Sequence, residues 1–283
     1  MITLNWSTWI DLDADLKSYR QHVAAMAGFY RIRVKQQESL AYIGQTGRSL
    51  RLRTRGELAR NALRPIDLPP WNDPHTAAPL LWAYRHEDKF QFELSVAPFE
   101  LPTQLRQCQE DSLLYLHRIE HGHSTLCNHG RRHPLWTRAS NRKNARPTNR
   151  LDEAIDFSSL PVAIGETDPL SENWLGLAWS KFESLPLLIP TSAGVYRIAD
   201  STGVVYLGES NSLSSRLASH AKDGRFKSCS VSFSLMEGAR PWHLKERETD
   251  LIGAYFLETN QAPMYQYNPV AQSNHSSVSS NFG

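Results

Sequence analysis

Three groups of side chains in this 283-residue sequence are of types that can do chemistry. The first is a recurring set of phenols and carboxylates: Tyr30, Tyr42 and Glu110 in the first half, Tyr196, Tyr206 and Glu248 in the second. A carboxylate can hold a divalent cation together with water. A phenol can orient or deprotonate a water if nearby positive charge assists it, because its ordinary pKa is near 10. The second group is His121, His123, Cys127, His129 and His133, all zinc-ligand types. Their spacing matches no recognised finger pattern and the second half has no such cluster, so loop histidines at the surface are the simpler reading. The third is a basic run from Arg131 to Arg150 without a single acid, including Arg131, Arg132, Arg138, Arg142, Lys143 and Arg146. One-signed charge of that length suits a strap against a nucleic-acid backbone, with a solvated loop as the plain alternative.

The elements that must position the first group occur twice. Leu4-Asn5-Trp6-Ser7-Thr8-Trp9 returns as Leu177-Ala178-Trp179-Ser180-Lys181-Phe182, and Ala27-Gly28-Phe29-Tyr30-Arg31-Ile32 as Ala193-Gly194-Val195-Tyr196-Arg197-Ile198. Tyr42-Ile43-Gly44 returns as Tyr206-Leu207-Gly208, and the alternating run 90–94 resembles 231–235. Each run precedes a helical segment with a Glu before two apolar residues, Glu110 with Leu113-Leu114 and Glu248 with Leu251-Ile252. Such an ordered set implies an internal repeat. The periodicity predicts, in each copy, a strand (28–34; 194–199) paired in a hairpin with a second (40–44; 204–208), then a helix, a third strand and a helix. The fold class expected is α/β (α+β), each copy a small, mainly antiparallel three-stranded sheet flanked by helices. The expected division is 1–130 for the first copy, with an insertion around 56–88, 131–150 for the basic arm, 151–270 for the second copy and 271–283 for a flexible tail.

Gly28-Phe29-Tyr30 with Tyr42-Ile43-Gly44, and Gly194-Val195-Tyr196 with Tyr206-Leu207-Gly208, resemble the two halves of the GIY-YIG nuclease motif. The tyrosines are 12 and 10 residues apart, within that superfamily's usual range. Three further features are similar to it in both copies: an Arg three residues after a Leu (Arg53, Arg216), the helical Glu110 or Glu248, and a late Asn (Asn128, Asn268). The resemblance covers each copy nearly end to end and suggests a tandem, restriction-endonuclease-like member. Any one of these residues alone has an ordinary reading, a Tyr packed in a strand or a Glu solvated on a helix. Only the ordered set makes them candidates. Glu246, two residues before Glu248, could be the ligand instead; the distance to the following apolar pair favours Glu248.

The resemblance implies phosphodiester hydrolysis, and these types suit it. The phosphate gains charge in the transition state, which Mg²⁺ (or Mn²⁺) and the planar fork of Arg53 or Arg216 can stabilise. Glu110 and Glu248 are the implied metal ligands. Tyr30 and Tyr196 would act on the attacking water, Tyr42 and Tyr206 would complete the network, and Asn128 and Asn268 would brace it. His220, four residues after Arg216 and so on the same helix face, offers the second copy an alternative base; the first copy has Glu57 there. Where many superfamily members place Lys after the second motif, this chain has Gln45 and Glu209. The second copy is therefore the expected better catalyst, with activity in both as the alternative.

A net charge of +2 says little about partners, since local patches decide binding. Three cysteines without C-x-x-C spacing, no basic-apolar leader and no apolar run of roughly 18 residues point to a soluble cytoplasmic protein without a membrane partner. Two sites in one chain suit the two strands of double-stranded DNA, either as a monomer with pseudo-two-fold copies or as a homodimer. The expected function is a metal-dependent endonuclease of restriction or defence type. The alternatives are a repair or recombination nuclease that reads DNA structure, and a non-catalytic DNA-binding protein with decayed sites; hydrolysis at phosphorus does not reveal the sugar, so RNA stays open. The Trp71-Asn72-Asp73-Pro74 stretch, which has no counterpart after Arg216, is a candidate recognition loop or a plain surface excursion.

Overall fold

The computed structural model describes residues 2–70, 77–136, 150–184 and 191–267. The candidate recognition loop at Trp71–Pro74, the arm residues Arg138, Arg142, Lys143 and Arg146, Asn268, and the tail lie outside those residues. The chain is mixed α/β, with two four-stranded antiparallel sheets. In the first unit β1 (Ile10–Asp11), α1 (Leu16–His22), β2 (Gly28–Val34) and β3 (Leu40–Thr46) precede a π-helical stretch, Leu52–Ala59, that runs into α2 (Arg60–Ala62). Then follow α3 (Ala77–Glu87), β4 (Phe92–Pro98) and α4 (Thr103–His121). The second unit has β5 (Glu183–Ser184), β6 (Gly194–Asp200), β7 (Gly203–Ser210), α5 (Leu213–Ala221), β8 (Ser230–Leu235) and α6 (Pro241–Thr259). The strand orders, β1-β4-β2-β3 and β5-β8-β6-β7, are the same.

The expected three-stranded sheets each carry a fourth strand. The repeated Trp-bearing segments lead into it, β1 pairing Ile10 with Leu94 and β5 pairing Glu183 with Val231. Ser7 and Ser180 fix those segments in the same way. The Ser95 hydroxyl donates to the Ser7 carbonyl and the Ser7 hydroxyl accepts from the Val96 amide; Ser232 and Phe233 do the same with Ser180. The aromatic rings of these segments cover the outward arginines of the central strands. The Arg31 guanidinium lies 4.4 Å from the Trp6 ring, and that of Arg197 lies 4.3 Å from Trp179. A period-2 pattern read only for apolar residues misses a strand of two residues.

The hairpins put the two motif halves in register, Tyr30 opposite Gly44 and Tyr196 opposite Gly208. An added Cβ on Gly44 would stand 2.6 Å from the Tyr30 hydroxyl, and one on Gly208 2.5 Å from the Tyr196 hydroxyl. Glycine is needed because the tyrosine ring crosses over the neighbouring strand there. Beneath, one apolar core joins Tyr30, Ile32 and Val96 to Leu58, Leu81 and Tyr19, and another joins Tyr196 and Ile198 to Leu213, Leu217 and Phe226. Burial of such side chains contributes roughly 1.5–3 kcal/mol each.

α4 and α6 pack antiparallel: Asp111 and Tyr115 face Gly253, and Arg118 faces Glu246 and Asp250. A Cβ on Gly253 would stand 2.7 Å from the Asp111 carbonyl and from Tyr115 Cβ, so glycine permits the close approach. Arg118 donates to both carboxylate oxygens of Asp250 at 2.7 and 3.2 Å, to the Ser124 hydroxyl and to the Leu160 carbonyl. Arg131, expected on a DNA-binding strap, is instead buried with its guanidinium on Glu246. A run of like charge in sequence does not see an acid placed opposite it by a distant helix. Glu246, the rival ligand, is buried in this network and accepts from Ser124 and Leu160 as well. Among the described residues no helix is long and apolar enough to cross a membrane.

Candidate active site

In the second unit the elements bring five of the six expected side chains into one cleft. β6 presents Tyr196, β7 presents Tyr206, α5 presents Arg216 and His220, and α6 presents Glu248. The Arg216 Nε–H donates to the Tyr196 hydroxyl at 3.1 Å, and the same hydroxyl stands 2.9 Å from His220 Nε2. The Tyr206 ring centroid is 6.0 Å from that of Tyr196 and 5.2 Å from His220. Burial raises the Tyr196 phenol well above its ordinary value, and the tyrosine pair adds to it, against Arg216. His220 moves the other way, down to about 4, because burial and the Arg216 charge penalise its cationic form. At neutral pH the imidazole is therefore uncharged and able to accept a hydrogen bond from the phenol beside it.

Glu248 is half-buried in the same cleft. Its pKa is pushed up to about 8, first by desolvation and then by Glu209 and Asp111, while Lys245 and Arg216 oppose the shift. Glu209 thus acts against ionisation of the very carboxylate that would hold a cation.

The first unit assembles Tyr30, Tyr42, Arg53 and Glu110 from β2, β3, the π-helical stretch and α4. The Tyr30 and Tyr42 rings are 5.9 Å apart. Desolvation raises Tyr30 to about 12, opposed by the charge and hydrogen bond of Arg53. The companion of Arg53 differs from that of Arg216: its Nη1 donates to Glu57 at 2.7 Å, and Glu57 also accepts from Arg48 at 3.1 Å. A carboxylate stands where the second unit has its imidazole. Glu110 is raised to about 7 by desolvation, with Arg53 and Arg106 lowering it. Arg106 lies one turn before Glu110 on α4, and its Nε–H donates to Gln45 at 2.6 Å. The positive charge absent from the strand at Gln45 is thus brought from the helix. The first unit thus adds a second arginine from α4, and the second unit adds a neutral imidazole from α5.

Asn128 closes the first unit without entering the cleft chemistry. Its amide accepts from Ile43 N at 3.0 Å and donates to Ile43 O at 2.9 Å, pairing the outer edge of β3 as a strand would. In the second unit the same backbone position, Leu207 N, donates to Gln266 Oε1 at 3.1 Å. The flanking bonds correspond too, Cys127 N to Ala41 O and Tyr265 N to Val205 O. Gln266 therefore stands in the second unit where Asn128 stands in the first. The signal was present: Gln266 follows Glu248 by the same 18 residues that separate Asn128 from Glu110.

Asp111 is a further residue that sequence reasoning passed over. It is buried between the two carboxylates, accepts from the Tyr267 hydroxyl at 2.6 Å and carries a pKa well above the usual carboxylate range, first from desolvation. Its charge acts on Glu248, and that of Glu110 acts on it, so the two clefts are electrostatically linked across α4 and α6.

The rival histidine set does not gather. His133 bonds Asp88 at 2.8 Å, Cys127 is buried in the first core, and His121 and His123 lie apart from both, tilted and edge-on against His117 with ring centroids 4.4 and 5.9 Å from it. Among the described residues no group of three or more His, Cys, Asp or Glu is arranged to hold a metal. Mg²⁺ demands less, commonly one or two carboxylates with waters and a phosphate. A half-buried carboxylate with a raised pKa beside an arginine fits that donor set, because a bound cation would relieve the cost of ionising it. No known family, curated protein or solved structure matches this chain.

Proposed function

We propose that the chain is a divalent-metal-dependent endonuclease acting on double-stranded DNA, of restriction or defence type, with two GIY-YIG-like sites in one polypeptide. The observation that carries this reading is the Arg216–Tyr196–His220 hydrogen-bonded chain in the same cleft as Glu248, with Tyr30, Arg53 and Glu110 in the corresponding places of the other unit. Tyr196 would hold the attacking water, and neutral His220 would draw the proton through the phenol. Arg216 would orient the phosphate oxygens and stabilise the charge they gain. Mg²⁺ or Mn²⁺ held by Glu248 or Glu110 would supply Lewis-acid stabilisation of the leaving oxygen. The antiparallel packing of the two equivalent helices, α4 on α6, supports a pseudo-two-fold monomer that would cut the antiparallel strands of a duplex. The three cysteines are free and buried, which is compatible with a cytoplasmic setting.

One observation favours a second reading for the first unit alone: Glu57 occupies Arg53, so that unit would bind DNA and leave cutting to the other. Purified protein incubated with plasmid, genomic and branched DNA and Mg²⁺, with mapping of the ends, tests both. Linear products with defined ends support two cutting sites. Nicks confined to one strand support the second reading, and preference for branches would move the function to repair. No strand breaks with Mg²⁺ or Mn²⁺ would end the nuclease reading.

A further inference from the structure

A cavity of about 520 Å³, the size of a small-ligand site, lies between the first unit's β3 edge and the N-terminal half of α6. Three kinds of wall meet in it. Leu80 and Ala83 of α3, with Leu114 and Cys127, make an apolar floor. Tyr42 and Trp136 supply aromatic rings, the surfaces on which bases stack in a sequence-tolerant way. Arg132, Lys245, Glu248 and His129 make the polar part.

His129 is the most constrained residue of the wall. It is 8% exposed, its Nε2 has no hydrogen-bond partner among the described residues, and burial keeps the ring neutral. A buried polar atom left unpaired is costly and uncommon. The residue also adopts φ +58, a left-handed conformation unusual for a side chain of this size. α3, which forms the floor, belongs to the insertion that has no counterpart after Arg216, while Lys245, Glu248 and Thr249 of α6 close the opposite wall, so the cavity is shared between the two units.

We propose that this cavity receives one nucleobase, with Arg132 and Lys245 facing its phosphate, and that the base is extruded from the strand bound at the Tyr30–Arg53–Glu110 site. The class of ligand follows from the lining: aromatic rings for a planar heterocycle and cations for the attached anion. Continuity links the cavity to that site, because Tyr42 belongs to both, and the α3 floor of the cavity comes from the first unit; Glu248 borders it from the second. The assignment to an extruded base rests on the nuclease reading; the assignment to a nucleobase does not. It gives the insertion a role in choosing where the first unit acts.

Two arms test it. In the first, free deoxynucleoside monophosphates are titrated into the full-length protein by calorimetry. In the second, duplexes carrying the fluorescent base 2-aminopurine next to the mapped cut are bound with Ca²⁺ in place of Mg²⁺. Expected are saturable binding of at least one mononucleotide and a several-fold rise in 2-aminopurine fluorescence. Both should fall at least tenfold in Leu80→Trp, which fills the cavity, and in His129→Gly, which keeps the backbone conformation and removes the imidazole. Melting temperatures identify any variant that fails to fold, and His129→Gly then carries the test. Mononucleotide binding without a fluorescence rise overturns extrusion and leaves a free-nucleotide site. Cleavage with neither binding nor a rise overturns the cavity proposal and leaves the nuclease reading standing. Mononucleotide binding without any cleavage does the reverse.

Discussion

The Tyr196 hydroxyl stands 2.9 Å from Nε2 of His220 while accepting a 3.1 Å bond from Nε of Arg216. This arrangement holds a protonated phenol between a fixed cation and a neutral imidazole, so the proton has a defined acceptor. In the first unit the residue four after the arginine is Glu57, and it is turned onto Arg53 and Arg48.

Replacing the imidazole should therefore separate the two units. His220→Ala is expected to slow cleavage at the second site by about 10²–10⁴, the usual contribution of a general base. Cutting at the first site should continue, so supercoiled plasmid would be nicked rather than linearised. Equal loss of both cuts would contradict the assignment of His220 to one site.

The two carboxylates should give different pH profiles. Each must be ionised to hold a cation, so its site gains activity as pH rises through its pKa. Glu110 is raised to about 7 and Glu248 to about 8, in both cases first by desolvation. With only the first site intact (Glu248→Gln), the rising limb is expected about one unit lower than with only the second intact (Glu110→Gln). Higher Mg²⁺ concentration should shift both limbs to lower pH, because the cation competes with the proton. Superimposable limbs, measured as initial nicking rates, would contradict this.

Glu248 should also cost stability at high pH. In the folded chain its proton is held up to about pH 8, against an ordinary value of 4.5, so between those values unfolding releases a proton. Its contribution is fully present below pH 4.5 and is lost as pH rises through 8. Glu248→Gln should remove that dependence. Urea unfolding at pH 5.5 and 8.5 is expected to show the wild type losing roughly 2 kcal/mol more than the variant, solvent screening included. Parallel losses would contradict the placement of Glu248 in a poorly solvated cleft.

Gly253→Val should damage both sites at once without touching either. Its Cβ would stand 2.7 Å from the Asp111 carbonyl, and backbone cannot swing away as a side-chain tip can. Overpacking of this kind costs about 1–3 kcal/mol. Since α4 carries Glu110 and α6 carries Glu248, a shift in their packing should lower both cuts, read as a lower urea midpoint with slower linearisation. An unchanged midpoint would mean that the helices do not pack this closely.

Much of this was legible in the sequence because the chain repeats itself. Tyr30 and Tyr196, with Gly44 and Gly208, could be read because a strand hairpin fixes their spacing and the glycine is sterically required. What the sequence hid were contacts between distant segments. Arg131 reads as part of a basic strap until α6 brings Glu246 onto it. Arg106 reads as an ordinary helix cation until α4 lays it on Gln45. Gln266 is obscured by an Asn two residues later of the expected type, although Gln266 has the repeated spacing and the repeated bond to the strand; Asn268 itself lies outside the described residues. The edge strands β1 and β5 are too short to show alternation, and their Trp-bearing leaders signal them only through the repeat.

The most direct measurement is plasmid cleavage by four proteins in parallel: wild type, Glu110→Gln, Glu248→Gln and the double variant, each with Mg²⁺. The expected result is linear product from wild type, nicked circles from each single variant on opposite strands, and intact supercoiled DNA from the double variant. Linear product from the double variant, folded and at the wild-type rate, would contradict the placement of hydrolysis at these two carboxylates.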